Sequence, residues 1–135
     1  MMATIPMSPE RAHASALGLL AHAHSVLDEA ARTGDPGERF RLAHLSALRT
    51  AAAVTAERGR PAGSRRRLMS VWVLLERVAP EYSGWAAYFA AGAAIRSAIE
   101  AGSTSAATAR AADDQVRAAT DFLALVESAL GLLAA

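Results

Sequence analysis

"SVWVLLERVAPEYSGWAAYFAAGAAIRSAIEAG", residues 70–102, is the stretch from which the fold is read. Ser70 is a good N-cap for a short helix over "VWVLLERVA", because its hydroxyl can accept from the free N–H groups of the first turn. That helix is apolar nearly all round, so it is expected to be buried or to lie at an interface. Pro80 ends it and opens a longer helix, with Glu81 in the first turn where the helix dipole favours an acid. The longer helix should run to Ala101, with Gly102 as its stop. Trp85, Phe89, Gly92 and Arg96 share one stripe at helical spacing, flanked by Tyr82 and Tyr88. Ala86, Ala90 and Ala94 lie opposite and permit close helix packing. Nothing in the stretch alternates with the period of a strand.

Working outward, the flanking segments carry the same punctuation. Ser8, Pro9 and Glu10 begin a helix that should run to about Arg32, before Gly34, with Ala16, Leu20, Ala23, Leu27 and Ala30 on its apolar face. Asp35-Pro36-Gly37-Glu38 opens a second helix: Asp35 caps it, and Glu38 is placed to close a capping box. It should end near Arg58, with Gly59 as the stop. Phe40, His44, Ala47, Leu48, Ala51 and Val54 face one way, and Leu42, Leu45, Ala52 and Ala56 broaden the apolar surface, as expected of a central helix. A last helix begins between Ala106 and Ala109, its stripe being Ala112, Val116, Ala119, Leu123, Val126, Leu130 and Leu133. The expected fold is all-α, a bundle of four long helices plus one short buried helix. Residues 1–7 are expected to be a flexible N-terminal tail and 8–135 the helical domain.

The chain has 135 residues, enough for one domain with a core that needs no staples. Alanine and leucine dominate a hydrophobic content of 53%, which favours helix over sheet. The absence of cysteine excludes a disulfide framework and thiolate metal sites. The N-terminus lacks a basic region followed by an apolar core. The most apolar stretch, residues 84–95, is too short to cross a bilayer. A soluble, cytoplasmic protein without membrane association is expected.

Every one of the 14 basic side chains is arginine, and five of them stand within "RGRPAGSRRR", residues 58–67. The rest of the chain is mildly acidic, so a local anion site is suggested rather than a uniformly basic face. A GC-rich genome also writes arginine for lysine, so the composition alone does not show selection for phosphate. The crowded charges of Arg65, Arg66 and Arg67 would be relieved by a polyanion, or simply solvated as a surface turn.

Four histidines raise the question of metal. No two of them stand at the i, i+4 spacing that, together with a carboxylate, a helical zinc site requires, so neither a metal nor a cofactor is expected. Arg39 and His44 spell R-x4-H, a combination capable of metal-free phosphodiester cleavage. Residues five apart on a helix diverge by about 140°, however. Arg39 is expected on the solvent face with Ser46, Thr50 and Glu57, and His44 inward. Arg96, an arginine on an aromatic stripe, needs an acid, an aromatic face or a ligand.

The helix order together with "AHLSALRTAAAV", the arginine loop, "SVWVLLERVAP", "EYSGWAAYFAAGAAIRSAIEAG" and "TARAADDQVRAATDFLALVESAL" resembles the HEPN domain, the higher-eukaryote and prokaryote nucleotide-binding superfamily. It is most similar to a small stand-alone actinobacterial family within it, over roughly residues 9–133. The resemblance implies a helical bundle, commonly a homodimer, that binds nucleotide or RNA. It also places the arginine of the superfamily's ribonuclease motif at Arg96. The residues after Arg96 include no histidine, so the reading is binding without cleavage, by Arg96, Trp85, Arg65, Arg66 and Arg67. Two alternatives stay open: a metal-independent endoribonuclease using Arg39 and His44, and a helical adaptor docking a protein partner.

Overall fold

The computed structural model describes residues 8–59 and 70–132. The expected tail, residues 1–7, and the arginines 65–67 lie outside the described residues. Among the described residues five α-helices follow one another: α1 (Pro9–Arg32), α2 (Pro36–Arg58), α3 (Val71–Val78), α4 (Ser83–Glu100) and α5 (Ala109–Ala129). A single 3-10 turn, Pro80–Tyr82, joins α3 to α4. Among the described residues there is no strand.

Local chemistry sets the boundaries. The side chains of Ser8, Asp35, Ser70 and Thr108 each accept from backbone N–H groups of the first turn that follows. Gly59 ends α2 with φ of +80°, a conformation costly for any residue with a Cβ. Glu38 does not close the expected capping box. Its carboxylate is taken by Arg41, which donates from Nε at 2.7 Å and from Nη2 at 2.9 Å. A bidentate guanidinium one turn away outcompetes a single backbone N–H.

Helix α2 is the axis, with α1, α3, α4 and α5 all packed on it. Ser46 and Thr50, expected on the solvent face, are fully buried. The reason is α1, which covers that flank closely enough for Ser46 Oγ to donate to the Ala23 carbonyl at 2.8 Å. Thr50 Oγ1 donates to the Ser46 carbonyl at 3.0 Å, so neither hydroxyl is left unsatisfied. Small side chains permit this approach: Ala16, Ala23 and Ala30 of α1 and Ala43, Ala47, Ala51 and Ala53 of α2 have no exposed surface.

The other end of the core is aromatic. Trp72 stacks on Phe89 with ring centroids 5.3 Å apart, Trp85 stacks on Phe122 at 5.4 Å, and Phe89 lies 5.6 Å from Phe122. Helix α3 buries Trp72, Leu74 and Leu75 here and leaves Val73, Glu76 and Arg77 exposed. Arg58, at the end of α2, donates to the Val78 carbonyl at 3.2 Å, pairs with Glu81 and lies over the Tyr82 ring.

Candidate functional site

Arg96 and His44 are 52 positions apart in sequence and meet across the α2–α4 contact, with Arg96 Nη1 3.4 Å from His44 Nδ1. The other ring nitrogen, Nε2, lies 2.9 Å from the Phe89 carbonyl oxygen. A carbonyl only accepts and a guanidinium only donates, so the ring carries its proton on Nε2 and turns the Nδ1 lone pair to Arg96. His44 is therefore a neutral imidazole. Burial holds its pKa below the ordinary histidine value; the Phe89 carbonyl opposes that shift and the Arg96 charge adds to it.

The sequence builds this pose from several helices. Phe40, one turn earlier on α2, stacks nearly parallel to the imidazole, and Trp72 of α3 meets it edge-on. Gly92 of α4 supplies the space. A Cβ there would lie 3.3 Å from His44 Cδ2 and 3.4 Å from Phe40 Cζ. Only 1% of His44 is exposed.

Arg96 is less enclosed, its side chain 24% exposed. Its Nε is buried without a hydrogen-bond partner. The Glu100 carboxylate stands 3.7 Å from that nitrogen, near enough for attraction and too far for a hydrogen bond. Glu100 also lies in the field of Arg41. The guanidinium of Arg96 thus has donors to spare.

The remaining sequence candidates lie elsewhere. Arg39 does not share His44: its Nη2 lies 2.6 Å from Asp113 Oδ1 of α5, and its Nε is buried without a partner. The R-x4-H spacing therefore brings together no acid–base pair. Trp85 lies eleven residues before Arg96, about 16 Å along the helix axis. It lines an open groove of about 680 Å³ between α4 and α5, together with Tyr88, Glu81, Asp114, Arg117 and Asp121. Three carboxylates against one guanidinium make that groove unsuited to a polyanion.

The other histidines are surface partners. His13 lies 3.2 Å from Glu57, His24 lies 2.8 Å from Glu127, and His22 accepts from Arg49 Nε at 3.1 Å. Among the described residues no three metal-ligating side chains come together. Sequence reasoning missed Glu100, whose one local signal was its i, i+4 spacing from Arg96.

One face bears on partners. The outer side of α4, formed by Ser83, Gly84, Ala87, Ala90, Ala91, Ala94 and Ser97, is exposed and carries no charge. Beyond it, no helix among the described residues is long and apolar enough to cross a membrane.

A protein-family model described as SAV_6107-like HEPN matches residues 30–127. The match spans well over half of the chain, so the chain belongs to this HEPN family. No curated protein and no solved structure matches it.

Proposed function

We propose that this HEPN protein binds nucleotide or RNA through Arg96 and does not cleave it. The observation that carries the reading is the guanidinium itself. It is partly exposed, and Nη1 rests on a neutral ring rather than on a carboxylate. Such a fork has charge and donor capacity for a phosphate. The histidine beside it is not placed to act as a general base. His44 is buried with both ring nitrogens engaged, and a base must reach the proton it removes. Arg65, Arg66 and Arg67 add long-range attraction for the same polyanion.

The protein works in this reading as a homodimer. A two-fold contact sets like residues against one another near its axis, so a charged face opposes itself. The uncharged outer side of α4 meets that requirement. A protein adaptor is the second reading, favoured by the same face.

The test is binding of labelled RNA and of nucleotides to purified protein across a salt titration, with sedimentation alongside. Binding that weakens with salt and falls about tenfold or more in Arg96→Ala, the loss of a charge-assisted contact, supports the reading. Equal binding by parent and Arg96→Ala refutes it. A monomer at tens of micromolar, a range where weak dimers still form, refutes the dimer.

A further inference from the structure

We infer that His44 is a positioning residue, one that holds the Arg96 guanidinium in its anion-binding pose by accepting from it at Nδ1. The inference rests on the reading of Arg96 as the phosphate contact. It assigns the buried imidazole a task that neither cleavage nor simple packing requires.

Three observations converge on it. First, the ring's orientation is fixed from both sides: Phe89's carbonyl takes the Nε2 proton at 2.9 Å, which leaves the acceptor nitrogen, and no donor, facing Arg96 at 3.4 Å. Second, the space for the ring exists because position 92 is glycine; a side chain there would press on His44 and Phe40. Third, Arg96 has little else to hold it. Glu100 is beyond hydrogen-bond distance, and the Nε donor is unpartnered. A free arginine side chain has many rotamers, and fixing one before binding removes a cost from the binding step. A neutral acceptor does this without neutralising the charge that the phosphate needs. A carboxylate in the same place would satisfy Arg96 and compete with the ligand.

The experiment compares His44→Asn with His44→Leu. Asparagine can present its side-chain carbonyl oxygen near the position of Nδ1. Leucine fills the space and accepts nothing. Affinity for a fluorescein-labelled oligouridylate is read by anisotropy at neutral pH and low salt, with urea unfolding of each variant. The expected result is that the asparagine variant binds within about twofold of the parent. The leucine variant should lose about two- to tenfold, the scale of immobilising one long side chain, even where it is the more stable of the two. Equal affinity of the two variants, whether tight or weak, overturns the inference. A second measurement does not depend on the variants folding. Long-range proton–nitrogen spectra of the parent protein should show His44 protonated on Nε2 and bare on Nδ1; a proton on Nδ1 at neutral pH overturns the inference by itself. Arg96→Ala is the separate arm. If it binds like the parent, the reading of Arg96 fails, and if it binds weakly while the two His44 variants agree, only the role of His44 fails.

Discussion

Acidification should destabilise this protein through His44. The ring is neutral, buried and fixed between the Phe89 carbonyl and the Arg96 guanidinium. Its folded pKa lies below the ordinary value, with burial the largest cause. In the unfolded chain the same ring titrates near 6.5. As pH falls through about 6.5 the unfolded state takes up a proton that the native state refuses, so stability falls with pH. Between pH 7.5 and pH 5.5, for a native ring that stays neutral, the loss approaches about 1.4 kcal/mol. Against a total of about 5–15 kcal/mol this is readily measured. Urea unfolding of the parent and of His44→Leu at the two pH values isolates the contribution. Every other group is common to both proteins and cancels in the difference. The parent should lose more than the variant over this interval, with about 1.4 kcal/mol as the upper bound. Equal losses would mean that native His44 accepts its proton freely, and the assignment of a fixed Nε2–H tautomer would fall.

Three further outcomes follow from the packing and the charge distribution. Phe122→Ala removes a fully buried ring that touches Tyr82, Trp85 and Phe89, and should cost about 3–5 kcal/mol in urea unfolding. Ser46→Ala loses one buried hydrogen bond to the Ala23 carbonyl and should cost about 1 kcal/mol in the same assay, with the helix content unchanged by circular dichroism. Replacing Arg65, Arg66 and Arg67 together by serine should lower RNA affinity and flatten its dependence on salt, since fewer counterions are displaced; affinity unchanged at every salt concentration would make the arginine stretch irrelevant to binding.

What could be read from the sequence was whatever is decided within a turn or two. Ser8, Asp35, Ser70, Gly59 and Gly102 marked helix ends because capping is a contact between near neighbours. The inward face of His44 and the central place of α2 were legible from periodicity. Ser46 and Thr50 were misplaced for a physical reason. Polarity tells which face a helix prefers to expose, and says nothing of how many neighbours surround it; a hydroxyl can be buried once a carbonyl such as that of Ala23 is within reach. Phe122 went unremarked although it completes the aromatic cluster, since its α5 neighbours Ala119 and Leu123 already defined a stripe. Within the candidate site, Arg96 was found from its aromatic stripe. Its meeting with His44 was not, because the approach of α2 to α4 is a tertiary fact that no spacing along the chain encodes.

The unequal side-chain sizes at the two ends of the core leave the chain open to damage of opposite kinds. Where α1 lies on α2, three of the six buried residues of α1 are alanines, and trimming one to glycine removes only a methyl group. Enlarging one forces two backbones apart, a cost of about 1–3 kcal/mol. Around Trp72, Phe89 and Phe122 the reverse holds, for there is no room to gain and much surface to lose. Random substitution is therefore filtered by a ceiling on volume at one end and a floor at the other. Variants that exchange a methyl for a bulkier group along α1 should be depleted from a selected library, and those that trim the rings more strongly still, while the outer sides of both helices drift.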